Sequence, residues 1–220
     1  TDDDLPLSLT FCETLPMKVE RETCYGGAFM ENFLGVSSKE HPSQHLKKND
    51  LLYPCNSVKK LYEKSCYTYI AFYFAELNNW QLSDVIQKCD LVPTVFIENC
   101  FTTLGSLQVE RGGLNDLTYT ICDSIEERAL KNKCIQGVVD GLGGRYINDP
   151  LPMLKFCEKV SPHDKSICYE TIGLSAATMS ADTKSEDNAC KRIEDKKYSE
   201  ICAHQAKITK EYIQLMYPRI

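Results

Sequence analysis

The twelve cysteines of this chain fall into pairs 11 or 12 residues apart: Cys12 and Cys24, Cys55 and Cys66, Cys89 and Cys100, Cys122 and Cys134, Cys157 and Cys168, Cys190 and Cys202. Second cysteines follow one another by 42, 34, 34, 34 and 34 residues. A period this constant marks stacked supersecondary units and limits the fold to a repeat architecture before any local reading is made.

The register extends beyond cysteine. Three residues after each first cysteine stands an aliphatic side chain: Leu15, Val58, Val92, Ile125, Val160 and Ile193. Directly after each second cysteine come Tyr25, Tyr67, Phe101, Ile135, Tyr169 and Ala203, and four after it Ala28, Ile70, Leu104, Val138, Ile172 and Ala206. A residue and its fourth neighbour share a helix face, so the second cysteine belongs to the buried stripe of a helix.

Start and stop signals split each repeat into two helices. In the third repeat, Ser83 or Asp84 is expected to cap a short helix holding Cys89, Pro93 to open a second holding Cys100, and Gly112 with Gly113 to end it. In the fifth, Asp149 with Pro150 and Ser161 with Pro162 open the two helices, and residues 180–182 follow the second. Nothing reads as a strand. Small residues inside the second helices, Gly27, Ala71, Gly105, Gly137 and Gly173, predict close helix approach, because glycine there otherwise costs about 1 kcal/mol against alanine.

A cysteine ending one helix and another early in the next face each other across a hairpin, so the pairs read as six bridges within repeats. Each closes a loop of about 12 residues and restricts the unfolded chain by about 3 kcal/mol in the entropic account. Bridges between successive repeats, with much larger loops, are the alternative. Cysteine in this abundance points to an oxidising, extracytoplasmic setting: periplasm, cell surface or secreted. The absence of C-x-x-C argues against zinc ribbons, thioredoxin-like sites and haem attachment. The net charge of -6 disfavours nucleic acid as a partner. The chain starts at Thr1 and has no apolar run near 18 residues, so direct membrane insertion is not expected and any signal or anchor is expected to have been removed or to lie outside this sequence.

Helical hairpins of 34 residues resemble the tetratricopeptide repeat family. The likeness covers the chain from about Leu7 to Ile213 through period and hairpin layout, without the W-x2-L-G-x2-Y signature. Secreted cysteine-rich tetratricopeptide-like proteins, which staple each hairpin with one disulfide, are the closer resemblance. They imply an all-α, right-handed solenoid occupying 1–220 as one domain, with repeats at about 7–48, 49–81, 82–114, 115–148, 149–182 and 183–216.

Two departures from the array draw attention. The segment 31–50 carries about eight extra residues and reads as a loop, either a tolerated excursion or a binding and assembly loop. The following helix holds Tyr67, Tyr69, Phe72, Tyr73, Phe74 and Trp80 on too many faces for one core stripe. Either the insertion covers these rings or Tyr69, Tyr73 and Trp80 form a partner-binding patch. The remaining motifs have plainer readings. GLGGR at 141–145 reads as a helix stop, since no strand precedes it and no G-K-[ST] follows. His41 and His45 read as a surface pair, and no metal or cofactor is expected. Glu126 with Glu127 and Glu186 with Asp187 read as helix-start carboxylates, and Asp2, Asp3 and Asp4 as a solvated terminus. No catalytic residue is assigned, since G-x-S-x-G is missing and the pairing consumes every cysteine. The expected function is a non-catalytic scaffold binding a protein, a peptide or its own copies. A structural subunit of a surface layer or filament, and a helical-repeat hydrolase without a recognisable motif, are the alternatives.

Overall fold

The computed structural model describes residues 4–147, 149–179 and 189–216. Asp2 and Asp3, the stop at 180–182 and the Glu186 and Asp187 pair lie outside the described residues. The chain is all-helical: α1 (Leu5–Glu13), α2 (Lys18–Leu34), α3 (Lys60–Leu77), α4 (Leu82–Cys89), α5 (Ile97–Gly112), α6 (Asp116–Thr120), α7 (Arg128–Arg145), α8 (Leu151–Lys159), α9 (Lys165–Met179) and α10 (Lys196–Met216). Among the described residues no strand forms, and the one β-type pairing is an isolated bridge between Lys47 and Asp50. Six disulfides join Cys12 to Cys24, Cys55 to Cys66, Cys89 to Cys100, Cys122 to Cys134, Cys157 to Cys168 and Cys190 to Cys202. The fold divides into two compact bodies, 1–104 and 105–220, with the division falling inside α5.

The second repeat corrects the expectation of a helix pair in every unit. Residues 51–58 form consecutive turns, and Cys55 sits in them. The Asp50 carboxylate accepts from the Leu52 N–H at 3.2 Å and from the Asn56 amide at 3.1 and 3.0 Å. Such side-chain bonds compete with the helical ladder, and Pro54 removes one of its donors. In the fourth repeat the first helix is the five-residue α6, and Cys122 lies just beyond it. Ser83 and Asp84 are not caps: α4 starts at Leu82 behind Gln81, with Asp84 in its first turn.

Successive repeats meet through one register on their second helices. The ring directly after a second cysteine packs on the ring four residues before the next one: Tyr25 on Tyr62 and Tyr67 on Phe96, both at 4.9 Å, and Tyr169 on Tyr198 at 5.0 Å. Edge and offset stacking at such separations adds about 0.5–1.5 kcal/mol per pair beyond the buried area. Asp164 takes this position in the fifth repeat and is buried. The Lys131 ammonium lies 3.0 Å from its carboxylate and 3.0 Å from that of Asp123, and the Ser161 hydroxyl donates to Asp164 at 2.8 Å. Burial alone pushes the Asp164 carboxyl up, but Lys131 and Ser161 outweigh it and hold the group below its ordinary range.

Backbones approach most closely at two glycines five residues after a second cysteine. A Cβ on Gly105 would overlap the carbonyl oxygen of Cys134, and one on Gly173 that of Cys202. Gly141 is a third close contact, with a Cβ position 3.1 Å from Ser106 and Val109. The GLGGR stretch is therefore not a helix stop. It stays helical to Arg145, because packing on α5 favours small residues where sequence alone suggests a turn. Gly27 makes no such approach, with nothing within 4 Å of its Cβ position.

Candidate functional site

The array is least regular where α2 passes through the insertion and the turns at 51–58 into α3. Asn32, buried near the end of α2, pins the insertion from inside. Its amide donates to the His45 carbonyl at 3.4 Å, and its carbonyl accepts from the Ser43 hydroxyl at 2.6 Å. The Ser43 N–H closes the loop on the Gly35 carbonyl at 3.1 Å.

This folded insertion covers part of the aromatic helix. Tyr73 is fully buried, stacks on Phe33 at 5.9 Å and donates its hydroxyl to the Lys47 carbonyl at 3.2 Å. It is a core residue and offers no ring to a partner, which corrects its place in the expected binding patch. Trp80 has a local role instead. Asn79 and Trp80 both adopt positive φ, the Trp80 N–H reaches the Ala75 carbonyl at 2.8 Å and the Asn79 N–H that of Glu76 at 3.4 Å. This is the Schellman pattern that stops a helix, and the Trp80 indole N–H returns to the Glu76 carboxylate at 3.1 Å. Tyr69 is half-buried, its ring 2.7 Å from the Cβ position of Gly26. The three aromatics thus serve three different neighbourhoods and do not form one exposed cluster.

What the irregular junction leaves open is a groove of about 280 Å³ between α1 and residues 53–59. Pro6, Leu9, Tyr53, Pro54, Val58 and Tyr62 give it a largely apolar lining, with His45 and Lys59 among its polar members. Lys47 stands 3.8 Å over the Tyr53 ring, a cation–π contact that holds a positive charge beside the groove. At the α1 end the Glu13 carboxylate accepts from the Tyr62 hydroxyl and pairs with the Lys59 ammonium at 3.0 Å. The Tyr62 bond, then that of Lys59, holds the Glu13 carboxyl below its usual range. Burial, then the facing carboxylate, pushes the Tyr62 phenol up. Such a site supplies apolar contact area and a cationic edge, the elements of recognition rather than bond-breaking.

Of these residues only the breaks around them are visible in the sequence: the long first step of the cysteine series and Pro54 inside an expected helix. His41 is exposed while His45 lines the groove, and among the described residues no three His, Cys, Asp or Glu side chains are grouped to hold a metal ion. Among the described residues no helix is long and apolar enough to cross a membrane. No protein-family model, curated protein or solved structure matches this chain.

Proposed function

We propose that the chain is a non-catalytic binding scaffold of an oxidising, extracytoplasmic compartment, and that it takes a protein or peptide segment into the groove between α1 and residues 53–59. The observation that carries this reading is the groove itself, an apolar cleft with a cationic edge where the second repeat lacks its first helix. Departures not needed for stacking are where repeat proteins place specificity. Six disulfides support the compartment, since reducing cytosols do not maintain such bridges.

The test fills the groove without touching the core. Thr10 and Ser57 line it and are exposed, so the double change Thr10→Arg with Ser57→Arg leaves the fold intact. Peptides enriched from a displayed random library on the wild-type protein should bind this variant at least about tenfold more weakly, the equivalent of 1.4 kcal/mol. Equal binding to both proteins would remove the groove from the proposal.

A further inference from the structure

The register that joins repeats inside the chain also defines two faces at its ends. At an internal junction, the preceding second helix contributes the positions one and five after its cysteine. The following helix receives them four before its cysteine, at the cysteine and four after it, as Tyr169 on Tyr198 and Gly173 against Cys202 and Ala206 show. Gly141, seven after its cysteine, extends the receiving face. On α2 the receiving positions are Glu20, Cys24, Ala28 and Glu31. On α10 the contributing ones are Ala203 and Lys207.

Exposure shows that both faces are uncovered. Cys66, Cys100, Cys134, Cys168 and Cys202 are fully buried, whereas Cys24 is half-exposed. The residue after the second cysteine is buried in the first five repeats, whereas Ala203 is exposed. Each face carries a depression. One of about 300 Å³ runs between α1 and α2, with Phe11, 61% exposed, on its wall and Glu31 in its lining. The other, about 370 Å³, lies along α10 over Ala203 and Ala206 and is lined by Lys207 and Lys210. Their shapes and charges are opposite: an aromatic knob beside carboxylates faces a small-residue floor beside lysines.

We propose that copies of this chain associate head to tail, the free face of α10 seating on the free face of the α1–α2 hairpin of the next copy. Phe11 enters the depression over Ala203 and Ala206, and Lys207 meets Glu31. The contact is heterologous, so each added copy exposes a fresh face and the assembly stays open. Lys207 already has a neighbour in Glu211 at 3.9 Å, but both side chains are more than half exposed, and such a pair is too weak to withhold the lysine. Because charged pairs at the rim of a contact are screened, association weakens as salt rises.

Sedimentation velocity on the full chain tests this. At low salt the mean mass should rise with concentration past that of a dimer, and at high salt it should fall back to the monomer. Glu31→Lys and Lys207→Glu, both at exposed positions, should each abolish association while leaving the melting curve in place. Mixing the two variants should restore it, since the two reversed charges then attract each other across the contact, as do the two unchanged faces. A concentration-independent monomer at low salt, a plateau at the dimer, or a mixture no more associated than either variant alone would overturn the proposal.

Discussion

The α2–α3 junction and the α9–α10 junction use one repeat register to opposite effect. Between α2 and α3 the space is filled by rings: Tyr25 on Tyr62, Phe33 on Tyr73, Tyr69 over Gly26, with the insertion closing over Tyr73. Between α9 and α10 the Tyr169–Tyr198 stack remains, but one turn further along the helices touch through backbone at Gly173. Large side chains hold helices apart and leave grooves at the edges, whereas glycine lets them close. The difference explains why the candidate site belongs to the amino-terminal body.

Substitutions at four positions sharpen this contrast, taken from the largest effect to the smallest. Tyr73→Ala removes a fully buried ring from the filled junction and should destabilise by about 3–5 kcal/mol in denaturant titration. Tyr73→Phe, which loses only the bond to the Lys47 carbonyl, should cost about 1 kcal/mol; equal losses for both would show that the hydroxyl, not the ring, joins the insertion to α3.

Asp164→Asn probes the junction where a carboxylate replaces a ring. It leaves Lys131 with Asp123 alone and should cost about 3 kcal/mol near neutral pH. The folded carboxyl titrates below its unfolded value, so its contribution is complete above about pH 4 and is lost as pH falls through the folded value. The gap between wild type and variant should therefore close in acid. A gap that persists unchanged at pH 3 would mean that the charge of Asp164 plays no part.

Gly173→Ala should destabilise by about 1–3 kcal/mol, since the added carbon overlaps the Cys202 carbonyl and the helices must part. Gly27→Ala, in an exposed helical position with open space around it, should instead stabilise by about 0.5–1 kcal/mol. Thermal melts showing the same sign for both would break the distinction between closed and open junctions.

Much of the fold is legible in the sequence because it rests on local periodicity. The spacing of Cys157 and Cys168, with Pro150 and Pro162 before them, announces α8 and α9, and the bridge between them closes within the same repeat. The site is legible only as a disturbance. The long step after Cys24 and the crowding of rings in α3 mark the region, but in sequence Tyr73 and Trp80 look alike, whereas in the fold one is core and the other ends a helix. Nothing in an aromatic residue's own neighbourhood says whether a loop 26 residues earlier will fold back onto it.

The amino-acid sequence alone determined the helical class, the 34-residue period and the face on which each second cysteine lies, since these follow from side-chain spacing within a few turns. Tertiary structure decided the rest. It kept GLGGR helical, turned residues 51–58 out of a helix and sorted glycines of one type into tight contacts and open surface. Each outcome depends on what approaches from another helix, and the chain carries that information only in the sum of its packing.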